Sequence, residues 1–172
     1  MRTFGPENAT LTVRTKRTGA ASKAGHDLLL EVTSWSATFD QDGDPALTLT
    51  ADSSSLRVLE GTGGMQTLGA DDKANIEQTI DSEVLTGMAI EFRASTVEFG
   101  GGGVATVSGE LELAGNHHPI TVALTAAEDG RLTGTATVKQ SDWGMKPYSA
   151  LFGALKVADE VEVAIDTAPP DP

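Results

Sequence analysis

Apolar residues in this chain recur at every second position, in short runs cut off by Gly, Asp and Asn. The clearest runs are Leu11/Val13, Leu28/Leu30/Val32, Leu47/Leu49/Ala51, Ile90/Phe92, Leu111/Leu113, Ile120/Val122/Leu124, Ala136/Val138 and Val161/Val163/Ile165. A period of two puts alternate side chains on opposite faces of extended backbone, so each run reads as a half-buried antiparallel strand. Eight such runs make a sheet large enough to close on itself, and closure removes the edges along which sheets aggregate. The expected fold is therefore all-β: one domain over residues 1–166, an eight-stranded antiparallel β-barrel. The Pro-rich tail, 167–172, cannot continue a strand and is expected to be disordered.

Two runs change parity within a strand. Val32 and Trp35 are three apart, whereas Trp35, Ala37 and Phe39 are spaced by two, and the same shift separates Ile90/Phe92/Ala94 from Val97/Phe99. A bulge or corner near Ser34 explains the first, and barrel strands bend in this way. An orthogonal sandwich also needs bent strands and stays open as the alternative. One segment departs from the β pattern. Over 71–85 apolar residues fall at Ile76, Ile80 and Val84, with Asp71 and Asp72 early and Gly87 just beyond, as a short amphipathic helix requires. It is expected to lie over one barrel end, with 60–64 as a mobile loop at a ligand portal.

The 172 residues carry 25 acidic against 12 basic side chains, a formal charge of −13 that repels nucleic acid and anionic membrane surfaces. A basic cluster at Arg14, Lys16, Arg17 and Lys23 reads as a solvated strand face and loop, because no aromatics interleave it. There is no cysteine, which excludes disulfides and thiolate metal sites. No apolar run reaches the length of a signal peptide or a transmembrane segment, so the chain as written is expected to be cytoplasmic.

Sites with local chemistry are few. Gly100 to Gly103 lacks the Lys-Ser/Thr pair of a phosphate loop and sits between strand patterns, so it reads as a hairpin turn. His117 and His118 read as part of another hairpin connection, and no metal site is expected. His26, at the head of an apolar strand, reads either as a solvated strand-start residue or as a polar contact at a barrel mouth. No nucleophile motif occurs, and Glu91, Glu110, Glu112, Glu160 and Glu162 read as the wet face of strands. Trp143, Tyr148 and Phe152 form a cluster that plugs a core or lines a pocket.

Several segments together resemble the YceI-like polyisoprenoid-binding family. Leu111-Glu112-Leu113-Ala114-Gly115 followed by Pro119-Ile120-Thr121-Val122 is similar to its best-marked hairpin. Ser141-Asp142-Trp143-Gly144-Met145 resembles its Ser/Asp-Phe-Gly-Ile turn, Asp159 to Val163 its closing strand, and Gly25-His26-Asp27-Leu28 its early histidine. The likeness runs from about Thr10 to Asp166. The chain departs from the pattern where the helix replaces an Asp-x-His-Leu segment and a Phe-Phe-Asp turn, at Gln140, where Arg is commoner, and at Met88, near a usual Pro. The resemblance implies a lipocalin-like barrel that stores or carries a long apolar ligand, a polyisoprenoid or isoprenoid quinone, without being an enzyme and without a cofactor. Its expected partner is thus an isoprenoid-like small molecule, and a homodimer is left open. By parity, the expected ligand-binding residues are Leu30, Val32, Trp35, Phe92, Leu113, Leu124, Val138 and Phe152, with His26 at the head group. Two other classes stay open: a cofactor-free cyclase or isomerase using the barrel as a chamber, and a stress or interaction protein with a filled core.

Overall fold

In a computed structural model, which describes residues 1–153 and 155–169, every one of the eight alternating runs lies in a strand. The strands in chain order are β1 (Arg2–Phe4), β2 (Ala9–Thr15), β3 (Arg17–Thr18), β4 (Asp27–Val32), β5 (Trp35–Phe39), β6 (Leu47–Ala51), β7 (Leu56–Thr62), β8 (Ile90–Phe99), β9 (Val104–Leu113), β10 (Asn116–Ala126), β11 (Leu132–Lys139), β12 (Ser149–Ala150), β13 (Leu155–Val157) and β14 (Glu160–Thr167). Among the described residues one antiparallel sheet has eleven strands, ordered β1-β5-β6-β8-β9-β10-β11-β14-β2-β4-β7, and a second has three, β12-β13-β3.

The main sheet thus has eleven strands, not the eight expected, and the reason lies in its corner. β4 and β5 are one run of chain broken at Thr33 and Ser34, and β6 and β7 are another broken at 52–55. β5 pairs with β6 and β4 with β7, so the two broken runs form one bent hairpin. On its two flanks β6 pairs with β8 and β4 with β2, which bends the sheet round on itself. The eleventh strand, β1, adds along β5 from Arg2↔Phe39 to Phe4↔Ala37. The expected parity shift at Ser34 is this corner. The second shift is a register slip between Ala94 and Thr96 in the β8–β9 ladder. There Gly109 faces Ala94, and a Cβ on it would sit 2.8 Å from the Phe92 ring, so only glycine lets the two strands approach.

The helix expected over 71–85 forms as α1 (Ala70–Thr79) and runs on as a π-helical stretch, Ile80–Val84. Asp72 Oδ2 accepts the Gly69 N–H at 2.9 Å, and Asp71 and Asp72 lie in the first turn, where the helix dipole favours acids. Ile76, Ile80 and Val84 pack against the core. β7 has a strand partner on one side only, and α1 lies against it: Val58 N–H donates to Glu77 Oε1 at 2.9 Å. A sheet edge is thereby covered by a helix and one of its donors satisfied. Glu60, Gly61 and Thr62, expected in a loop, are the end of β7, so the connection to α1 begins at Gly63. At the other terminus β14 runs through Thr167, one residue into the expected tail. Its buried hydroxyl accepts from Leu132 N at 2.9 Å; residues 170–172 lie outside the described residues.

β11 and β14 are also clamped on their outer face, where Arg131 Nε donates to Asp166 Oδ1 at 2.7 Å and Nη2 to Oδ2. The hydrogen bond from Arg131, opposed by partial burial and reinforced by the Arg131 charge, holds the Asp166 carboxyl below its ordinary value of 3.8. The Ser54 N–H and hydroxyl lower Asp52, and the Ser141 hydroxyl lowers Asp159. A depressed folded-state pKa contributes stability that is full above the unfolded value and lost as pH falls through the folded one. Thermal melts should therefore lose stability as pH drops below about 4, and Asp166→Asn should flatten part of that loss. At neutral pH Glu77→Ala should cost about 1–2 kcal/mol and speed hydrogen exchange at the Val58 amide more than at Val107.

Candidate ligand cavity

The inward side chains of the main sheet do not fill it. They enclose a cavity of about 800 Å³, lined by β1 to β11, β13, β14 and the inner side of the helix. The volume lies in the upper part of the range of small-molecule sites. Leucine, isoleucine, valine and phenylalanine dominate its wall. Of the small residues that leave room, Ala37, Ala51, Gly134 and Ala136 lie on the wall. No Asp or Glu among the described residues lines it, and Glu91, Glu110, Glu112, Glu160 and Glu162 all face away.

Seven of the nine residues expected to contact a ligand lie together on this wall: His26, Leu30, Val32, Phe92, Leu113, Leu124 and Val138. Two do not. Trp35 shares the inward parity of Ala37 and Phe39 but follows directly on the corner, where it is buried in the hydrophobic core at 7% exposure and does not line the cavity. Parity tells inside from outside and cannot tell wall from plug. Phe152 is fully exposed and sits in a turn with φ of 54°, which turns it away from the interior. The aromatic cluster is thus divided. Trp143 is a plug, 2% exposed, with its Nε1–H donated to the Leu111 carbonyl at 2.7 Å, and Tyr148 lines one end of the cavity.

That end is assembled around the Gly25-His26-Asp27 segment. Gly25 is buried, and a Cβ there would meet the Leu155 side chain at 2.5 Å, so β13 packs directly on it. Asp27 Oδ1 accepts the Arg17 N–H at 2.8 Å, which ties β3 to the head of β4. His26 Nε2 contacts the Gln66 carbonyl at 2.6 Å; since a carbonyl only accepts, this nitrogen carries the proton. Gly64 has φ of 73° and lies over the imidazole, where a Cβ would collide with the ring. Arg17, which spacing alone left on a solvated face, also lines this end and donates through Nη1 to the carbonyls of Gly25 at 2.9 Å and Thr62 at 3.0 Å. Its adjacency to β13, across Arg17↔Val157, is a long-range pairing that no local pattern announces.

His117 and His118 are not turn residues. The turn is made by Ala114 and Gly115, both at positive φ, and β10 begins at Asn116, so the two histidines point to opposite faces of a strand. His117 sits between Glu110 at 3.0 Å and Glu112 at 3.5 Å, while the His118 ring lies 4.9 Å from that of Trp143. Gln140, 6% exposed and on the cavity wall, turns its amide back to donate to the Ala158 carbonyl at 3.1 Å.

Residues 6–168 match the family model of the YceI-like domain. The chain belongs to the YceI-like family. This family is one of β-barrels that bind hydrophobic ligands. Among solved structures, BcnA of Burkholderia cenocepacia is similar at 21% identity and a TM-score of 0.67, over 92% of this chain and 94% of that one. A YceI protein of Campylobacter jejuni is similar at 16% identity and a TM-score of 0.54, over 83% and 85%. At such identities the likeness is one of fold. No curated protein matches the chain. No helix among the described residues is long and apolar enough to cross a membrane.

The placement of Phe152 separates it from the YceI-like interior in a way that stability measures directly. Phe152→Gly, which relieves a positive φ, should leave stability unchanged or raise it by up to about 1 kcal/mol. Leu30→Ala, at 2% exposure, should cost about 2–5 kcal/mol in denaturant titration.

Proposed function

We infer that the protein stores or carries a long apolar ligand, a polyisoprenoid or the tail of an isoprenoid quinone, inside the curled sheet. One observation carries this reading: an apolar cavity of about 800 Å³ whose wall includes residues from both ends of the long strands, from Leu113 and Val138 to Phe99 and Ala126. A ten-residue strand spans roughly 33 Å, and barrel strands tilt by 35–45°, so the interior is roughly 25 Å long. The volume spread over that length gives a bore of about 6 Å. Non-bonded carbons sit 3.5–4.0 Å apart, so the bore admits one carbon chain with its methyl branches in single file. Each methylene buried there gains about 0.8 kcal/mol before ordering costs, which lets a long chain bind with few polar contacts.

A carrier role is favoured over a reaction chamber by the wall itself. A cofactor-free cyclase or isomerase works through a carboxylate or imidazole in the cavity. The wall offers no carboxylate among the described residues, and its histidine, His26, has Nε2 engaged by the Gln66 carbonyl. The filled-core alternative has no support in an interior of this volume.

Organic extraction of freshly purified protein followed by mass spectrometry should release a near-stoichiometric apolar compound, and added isoprenoid quinones should bind. Empty extracts together with no binding would overturn the reading. Ala136 lines the cavity and its side chain is only half buried. Ala136→Phe should therefore fill the bore and lower chain affinity by about tenfold or more, ~1.4 kcal/mol, while thermal stability is kept.

A further inference from the structure

The basic side chains are unevenly spread along the chain. Two segments, 16–26 and 143–158, hold five of the twelve, Lys16, Arg17, Lys23, Lys146 and Lys156, and none of the 25 acids. The fold joins these segments at one end of the cavity, where β3 pairs with β13 through Arg17↔Val157 and Thr18↔Lys156, and β13 with β12. Arg17, Leu155 and Val157 line the cavity there. The alternate residues face outward, as the period of two requires. Lys156 is exposed on that outer face, and so is Lys16, whose carbonyl accepts the Ala158 N–H at 2.7 Å. Lys23, on a turn that lies against β13, and Lys146 are exposed as well. Of the bordering acids, Asp27 accepts the Arg17 N–H at 2.8 Å and faces Lys16 at 3.8 Å, and Asp159 accepts the Ser141 N–H at 2.8 Å. Lys23, Lys146 and Lys156 take part in no ion pair among the described residues.

An aromatic side chain stands out of the same surface. Phe152, on the turn joining β12 to β13, is fully exposed at a φ of 54°. A Cβ on the next residue, Gly153, would lie 3.3 Å from Lys156 Cε, which sets that lysine beside the turn. Neither burial nor backbone preference rewards a phenylalanine held there. Met65, next to the Gln66 that meets His26, is largely exposed, and Tyr148 about half. Apolar side chains projecting among lysines suit an anionic bilayer: the ring enters the interface while the ammonium groups meet the head groups. Charge separates the two ends of the cavity. At the other end Phe99 and Val104 are exposed too, but Glu98, Glu128 and Asp129 accompany them. The net charge of −13 repels an anionic surface at a distance. At physiological ionic strength that field decays over about 8 Å, so the face presented governs contact.

We propose that the outer face of the β12-β13-β3 sheet, with Phe152 on its turn, docks on an anionic membrane surface and brings this end of the cavity up to the bilayer. Docking of this kind goes beyond the carrier reading and does not depend on what the cavity holds.

Co-sedimentation of the full chain tests this, with vesicles of phosphatidylcholine alone or mixed equally with phosphatidylglycerol. Partitioning should be about tenfold or more stronger on the mixed vesicles and should weaken as salt rises. Each basic residue near such a surface is worth about fivefold, so Lys23→Gln, Lys146→Gln and Lys156→Gln combined should lower it by about tenfold or more. Phe152→Gly should lower it about threefold or more, with the thermal melt unchanged or raised. Arg93→Gln, which removes an exposed charge from β8, should leave it within about twofold. Should a variant fail to fold, the contrast between the two vesicles and its salt dependence decide for the unaltered chain. Equal partitioning on both vesicles, or a loss from Arg93→Gln as large as that from the three lysines, overturns the docking surface. Binding to a DNA duplex or to polyglutamate with none to vesicles overturns it too. Absence of partitioning sinks the docking alone, because organic extraction tests the carrier reading separately.

Discussion

The structure depends on a corner. Between β4 and β5, and again between β6 and β7, the chain must leave one ladder and enter another without stranding buried backbone donors and acceptors, which would cost about 1–3 kcal/mol each. Thr33 N–H donates to the Ser55 carbonyl at 3.0 Å and the Thr33 hydroxyl to the same oxygen at 2.7 Å; Asp52 N–H donates to the Ser34 carbonyl at 3.0 Å. Ser55 is buried with its hydroxyl shared between the carbonyls of Asp52 and Ser34. Ser53, equally buried, donates to Asp81 at 2.7 Å and so fastens the corner to the π-helical stretch. Because the corner is satisfied in this way, β4 can serve β2 while β6 serves β8, and the sheet comes round on itself. The cavity, the mouth and the covered edge at β7 follow from that closure.

Much of this was legible from period and turn chemistry. Alternation located all eight long runs, and the two parity shifts marked the corner at Ser34 and the slip after Ala94, because a period of two cannot change phase without an extra residue. The helix was legible from its spacing and early acids, though not its π-helical end. The strand count was not, since a corner adds strands without adding alternating runs. β3, β12 and β13 are two or three residues long, too short to show a period. They nevertheless build the end of the cavity, through pairings far apart in sequence.

The site was legible in the same uneven way. Parity placed Leu30, Val32, Phe92, Leu113, Leu124 and Val138 on the wall because each lies inside a long ladder with fixed facing. It failed for Trp35, at a corner, and for Phe152, in a turn, where facing is set by local backbone. Arg17 was missed because its sequence neighbours Lys16 and Arg14 are solvated, and only the β3–β13 pairing turns it inward. Gly25, Gly61 and Gly64 carried a readable signal of close approach, which Leu155, Leu68 and His26 respectively exploit.

An apolar cavity of this size also bears on how the fold is held. A packed interior draws its stability from side-chain contacts, and forfeiting them is costly. Among the described residues, few large side chains are fully buried, Leu30, Val107 and Trp143 foremost, while Val13, Leu28, Leu49, Val122, Leu124 and Val163 are left half-buried. The wall is instead held by continuous ladders, ten pairings between β9 and β10 and seven between β11 and β14, and by plugs such as Trp143. On the carrier reading, a carbon chain laid along this shell supplies the contacts the side chains lack. A ligand that binds the folded shell alone stabilises it in proportion to the logarithm of its concentration over Kd. On the proposed carrier reading a bound chain would complete the hydrophobic core, so recognition and folding stability would draw on the same apolar surface.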